Sequence, residues 1–227
     1  MNVLVACEES QRVCTAFRER GHNAFSCDIL PCSGGHPEWH IMCDVLNILN
    51  PSIGYESTEP EIIFYTMTGN PIKINKWDLI IAFPPCTYLS NAGARWLYAG
   101  GELNTERYRK GLEGKEFFMS MLNADCPRIA VENPIPSSIY GLPEYSQIIQ
   151  PYYFGEPWSK KTCLWLKGLD ILQPTDIVMD HKPYCSSGSY SGTHDPKYKG
   201  ASRKGGSAKS RSKTFWGIAR AMADQWG

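Results

Sequence analysis

Short apolar runs alternate with amphipathic stretches along the chain, and they predict alternating strands and helices. Val3-Leu4-Val5-Ala6 is a compact apolar strand. Gln11 to Arg20 follows with Val13, Ala16 and Phe17 at helical spacing, and Gly21 is a natural helix stop. Asn23 to Cys27 reads as a second strand, ending in Asp28. Trp77 to Ser90 opens with a short apolar run of the kind a buried central parallel strand needs. Pro84 and Pro85 end that run abruptly, because neither can donate to a ladder and the first restricts the residue before it. Cys86 follows at once. Thr105 to Asn123 predicts a helix, with Tyr108, Leu112, Phe117, Phe118 and Met121 on its apolar side. Arg128 to Val131 is another short strand, running into Glu132-Asn133-Pro134. Ser159 to Leu166 reads as a strand with Lys160 and Lys161 at its start, and Thr214 to Trp226 as a closing helix. The pattern implies an α/β fold with a mostly parallel central sheet and helices on both faces.

Three stretches interrupt the alternation. Ile62 to Met67 and Ile72 to Ile74, around Gly69-Asn70, read as a hairpin inside an insertion spanning 53–76. Thr87 to Gly101 is rich in small and polar residues and reads as a mobile loop. Residues 183–213 are dense in Ser, Gly, Lys and Arg, a composition that cannot bury a core and predicts a flexible basic loop. That loop is either a solvated linker or a phosphate contact. A single domain over residues 1–227 accommodates all of this.

Composition narrows the classes. Lysines plus arginines number 23, as do aspartates plus glutamates, so no global field points to nucleic acid or membrane. No apolar run approaches a membrane span, and the amino terminus lacks a charged region followed by an apolar one. A cytoplasmic protein is expected. Nine cysteines, an odd number without small-scaffold spacing, suit reduced thiols better than a disulfide framework. Cys27, Cys32, His36, His40 and Cys43 contain enough ligands for zinc but lack two close pairs at the usual spacing. A loop beside a ligand pocket, with Trp39 stacking or packing, is the preferred reading, and no metal is expected.

The chemistry lies at strand ends. Open α/β sheets bind ligands beyond the carboxyl ends of their strands, where Asp28, Cys86 and Glu132-Asn133 fall. An acid after the second strand is suited to ribose hydroxyls. Yet Ala6-Cys7-Glu8-Glu9-Ser10 contains no glycine, which disfavours a pyrophosphate cofactor and leaves Glu8 and Glu9 to face an ammonium group. A thiol and a carboxylic acid together suit attack on carbon 6 of a cytosine. The acid holds a proton against the ring nitrogen while carbon 5 becomes nucleophilic toward a methyl sulfonium.

Pro84-Pro85-Cys86, with Ser90 four residues on, and Glu132-Asn133 resemble the motifs of the cytosine-5 DNA methyltransferases, closest to compact phage-type members. The resemblance implies a Rossmann-like S-adenosylmethionine-dependent fold. It implies Cys86 as nucleophile, supported by Pro85 and Ser90, with Glu132 and Asn133 on the cytosine edge and Lys160 at its carbonyl. Thr162 stands where that family has a second arginine. By the same resemblance S-adenosyl-L-methionine is held by Ala6, Cys7, Glu8, Asp28, Ile29, Asp44, Val45, Pro84, Thr214 and Gly217. Asp28 would meet the ribose and Asp44 the adenine amine.

The chain departs from that family in its glycine-free first motif, in Lys160 for arginine, and in having only the basic loop in place of a large target-recognition domain. The implied substrate is cytosine in DNA, single-stranded or flipped from duplex, with low sequence selectivity or a partner chain for target recognition. Two alternatives are the same chemistry on RNA or a free cytosine nucleotide, and an inactive decoy that binds nucleic acid or a host protein. Protection of a phage genome, by restriction-modification or anti-restriction, is the implied context.

Overall fold

A computed structural model describes residues 1–53, 60–94, 96–99, 101–184 and 212–227. Seven strands form the main sheet: β1 (Asn2–Ala6), β2 (Asn23–Asp28), β3 (His40–Met42), β4 (Leu79–Ala82), β5 (Ile129–Pro134), β6 (Gln147–Ile149) and β7 (Thr162–Lys167). Their spatial order is β6-β7-β5-β4-β1-β2-β3. β1 pairs in parallel with β2 and β4, as do β2 with β3 and β4 with β5. β7 alone runs antiparallel, between β5 and β6. The first five strands thus have the doubly wound order, and the direction of winding reverses between β1 and β4, where such sheets open a ligand crevice.

Strand alternation divides the core into two layers. Val3, Val5, Leu79, Ile81 and Ala130 face helices α1 (Arg12–Glu19) and α3 (Trp216–Trp226). Leu4, Ala6, Ile80, Ala82, Ile129 and Val131 face the opposite side, with Phe118 and Met121 of α2 (Thr105–Leu122). The second layer is completed without a further long helix. Antiparallel strands Pro60–Tyr65 and Pro71–Ile74, with Ser52–Ile53 alongside, bring Ile62, Phe64 and Ile74 onto Phe25 and Trp77. Residues 60–65 and 71–74 therefore cover the sheet where a crossover helix between β3 and β4 would ordinarily lie.

The segment after Cys86 is more ordered than its composition predicts. Residues 87–89 form a turn, Ser90 bridges to Pro136, Asn91–Ala94 is a helical turn, and Tyr98–Ala99 pairs with Glu102–Leu103. Ser137 N–H donates to the Leu89 carbonyl at 2.7 Å and Asn91 N–H to the Ile135 carbonyl at 3.0 Å, which ties the turn to the chain leaving β5. Of the basic stretch 183–213, residues 185–211 lie outside the described residues. No helix of the described residues is long and apolar enough to cross a membrane.

Candidate active site

Cys86 leaves β4 through the rigid Pro84-Pro85 step, with Pro84 buried, Pro85 exposed and the thiol partly buried. Glu132 sits on β5, the adjacent parallel strand. Strand alternation puts it on the α3 side of the sheet, together with Thr162 and Leu164 of β7, which pair beside Pro134 and Glu132. Lys160 enters just before β7, its backbone N–H bonded to the Gln150 side chain at 2.8 Å. A shallow, open cleft lies here, lined by Phe83, Glu132, Lys160, Thr162, Thr214 and Phe215, among others.

The electrostatics link these groups. Burial pushes the Cys86 thiol above its ordinary pKa, the Glu132 charge pushes it further, and Lys160 pulls it back. Burial likewise raises the Glu132 carboxyl, while Lys160 and a hydrogen bond with Thr162 oppose the rise. Each negative group disfavours the other and the same cation favours both. Protonating Glu132 therefore makes Cys86 easier to ionise. Desolvation toward a neutral carboxylic acid is the condition under which Glu132 donates a proton rather than accepting one.

A second group of polar side chains lies at the tips of β1, β2 and β3. Cys7 follows β1 in a left-handed conformation, φ 58°, and its thiol is driven well up by burial and by Asp28 and Asp44. One carboxylate oxygen of Asp28 accepts from Leu30 N–H at 2.9 Å, and one of Asp44 from Leu46 N–H at 3.0 Å. Ile29 beside them is 73% exposed. Carboxylates held by their own following backbone, next to an exposed apolar side chain, suit a nucleoside with hydroxyls and a flat base.

The loop after β1 departs from the expectation. Glu8 is buried and its carboxylate accepts from Val13 N–H at 2.7 Å and Cys14 N–H at 3.2 Å, with further bonds from Arg12 N–H and the Ser10 hydroxyl. It caps α1 and is turned away from any ligand ammonium. Gln11, buried and also left-handed, bonds Ser26, His36 N–H and the His36 carbonyl. A helix N-terminus that would otherwise hold a phosphate is thus filled by the protein's own carboxylate.

Four further residues are placed as follows. Val45 is 3% exposed and belongs to the core rather than to a ligand surface. Asn133 is fully buried on the opposite sheet face from Glu132, its Nδ2 donating to the Pro134 carbonyl at 2.6 Å. Ser90 is buried and its Oγ accepts from Gly93 N–H at 3.2 Å, holding the turn. Gly217 is a packing glycine: a Cβ there would meet the Phe154 carbonyl oxygen at 1.7 Å, and its N–H donates to Glu156 at 3.3 Å. Ala6 is buried in β1, while Thr214 lines the cleft and its carbonyl accepts from Arg12 at 2.8 Å.

The cysteine–histidine stretch is built into the fold. His40 is buried in β3 between the Ser26 hydroxyl and the Leu30 carbonyl, at 2.8 and 2.9 Å. His36 stacks on Trp39, with ring centroids 3.8 Å apart, and the Cys27 and Cys43 sulfurs lie 3.9 Å apart. Among the described residues no group of three or more His, Cys, Asp or Glu side chains is placed to hold a metal ion.

Arg107 was not legible as part of the site, since only tertiary packing brings the first turn of α2 to the chain after Cys86. Glu8 as a cap was equally hidden, because it stands several residues ahead of the helix it serves.

No family profile matches the chain, and no curated protein matches it. Among solved structures that match is a proposed DNA modification methyltransferase encoded within a prophage (E. coli), with 14% identity and a TM-score of 0.39. The match covers 78% of this chain and 52% of that one, so the chain spans about half of that protein's length.

Proposed function

We propose that this protein transfers a methyl group from S-adenosyl-L-methionine to carbon 5 of cytosine in DNA, through a transient bond between Cys86 and carbon 6. The observation that carries the reading is the opposed pair at the tips of β4 and β5. A partly buried thiol and a desolvated carboxyl act on one another's charge, with Lys160 biasing both. The Cys86 thiolate adds to carbon 6 as Glu132 gives its proton to the ring nitrogen, so the ring accepts the electron pair without building a buried negative charge. Lys160 offsets the charge that develops at the ring carbonyl. When bound, the cofactor supplies an electrophilic methyl sulfonium to carbon 5. Loss of the carbon-5 proton to solvent then returns the electron pair to the carbon 5–carbon 6 bond, the carbon 6–sulfur bond breaks, and the ring nitrogen hands its proton back to Glu132.

The donor set fits the cofactor. S-adenosyl-L-methionine has no phosphate, and the amides of α1 that would bind one are filled by Glu8. Asp28 and Asp44, each bonded to the backbone two residues on and near exposed Ile29, would take the ribose hydroxyls and the adenine amine. Thr214, Phe215 and Phe83 line the cleft.

Incubation with DNA and cofactor, followed by nucleoside mass spectrometry, tests the reading. 5-Methylcytosine is expected, and its absence from a folded, cofactor-binding protein would sink it. Running DNA, RNA and dCMP in parallel separates the substrates. DNA is expected to be preferred and to be retained at low salt.

A further inference from the structure

Residues 87–93 close a small loop immediately after Cys86. Its two ends touch: a Cβ on Gly93 would lie 2.0 Å from the Thr87 carbonyl oxygen, so position 93 admits no side chain. Two carbonyls are thereby brought to one donor. Arg107 Nη2 donates to the Thr87 carbonyl at 3.3 Å and to the Gly93 carbonyl at 3.0 Å. The same guanidinium lies over the Tyr88 ring, 4.8 Å from its centroid, covering the residue between. Arg107 is itself anchored, since it stands in the first turn of α2 with its N–H bonded to the capping Asn104 side chain at 2.9 Å.

We propose that Arg107 is a positioning residue for Cys86, clamping the Thr87–Gly93 loop so that the thiol is held in one place relative to Glu132 and Lys160. The inference rests on the reading of Cys86 as nucleophile. Arg107 acts through geometry rather than charge, because the charged side chains that act on the thiol are Glu132 and Lys160. One guanidinium nitrogen reaches two carbonyls while the flat group covers an aromatic ring, and a lysine, which can donate to carbonyls but has no flat face to lay on the ring, performs that task only in part.

The test is the rate of Cys86 alkylation by iodoacetamide as a function of pH, followed by peptide mass spectrometry in wild type, Arg107→Met and Arg107→Lys. Cys32, also partly exposed but remote in sequence, serves as the internal reference. Arg107→Met is expected to change the plateau rate at Cys86 by about tenfold, the scale of one lost charge-assisted hydrogen bond. The pH midpoint should stay fixed and Cys32 should not respond. Methyl transfer is expected to lose kcat with the KM for cofactor unchanged, and Arg107→Lys to recover part of the loss. Methylguanidinium added to Arg107→Ala should restore part of it too. An unchanged Cys86 plateau in Arg107→Met overturns the inference, as does a parallel change at Cys32, which would mean general loosening. Should the plateau change in a protein that methylates nothing, the positioning role stands and the methyl-transfer reading falls.

Discussion

Two thiols follow two neighbouring parallel strands, Cys7 after β1 and Cys86 after β4, yet their surroundings differ in sign. Cys7, like Cys86, is half-buried, and its desolvation, Asp28 and Asp44 all oppose its ionisation. Cys86 meets one carboxyl that burial pushes toward its neutral form, and one lysine that favours the thiolate. Position at a strand tip therefore does not make a nucleophile. The proposed reaction relies instead on a neighbouring charge that protonating Glu132 removes. The acidic half suits the neutral hydroxyls and amines of a nucleoside, and the mixed half suits a reaction in which charge appears and disappears.

The largest expected contrast is between the two thiols. Cys86→Ser should abolish transfer to DNA, whereas Cys7→Ser should retain it, read by tritium incorporation from labelled cofactor. Comparable losses in both would erase the distinction. Next comes Glu132→Gln, expected to slow transfer by about 10²- to 10⁴-fold, the usual range for a lost general acid. It should at the same time lower the pH midpoint for Cys86 alkylation, because a negative neighbour is gone. Lys160→Met should move that midpoint the other way, since the cation that favoured the thiolate is lost. Opposite shifts from the two variants are the expected signature, and shifts of the same sign would break the coupling.

The smallest effect concerns stability. Burial pushes Glu8 up to about 7 from an ordinary value of 4.5, despite the amides it accepts from. The folded state therefore holds a proton that the unfolded chain releases between these values. The associated stability is present below the lower value and is lost as pH rises through the higher one. Glu8→Gln cannot ionise, so its stability relative to wild type should improve from acidic pH to above 7, measured by urea denaturation at each pH.

Much of the frame was legible because it rests on runs that must be buried. Val3 to Ala6, Leu79 to Ala82 and Ile129 to Val131 are apolar on both faces of the sheet, and α3 presents Ile218, Ala219 and Met222 together. β3 and β6 were not legible, being three residues each and too short to show a period. Their place is set by neighbours: His40 by Ser26, and Ile149 by Thr162. The loop after β1 was read as ligand-facing because the Glu8 carboxylate was counted without the helix amides it satisfies. The split between Glu132 and Asn133 was available, since consecutive strand residues point to opposite faces. A motif read as a pair obscured that alternation. The loop after Cys86 looked mobile from its small residues, but Gly93 is small because the chain closes on itself there.

The most direct measurement is a trap of the bond itself. DNA containing 5-fluorocytosine cannot lose a proton from carbon 5, so an adduct formed during transfer has no route to release. After incubation with cofactor and proteolysis, the peptide carrying Cys86 should appear bonded to the modified nucleotide, in wild type and not in Cys86→Ser. A folded, cofactor-binding protein that forms no adduct, or forms it through Cys7, would contradict the assignment of Cys86 as nucleophile.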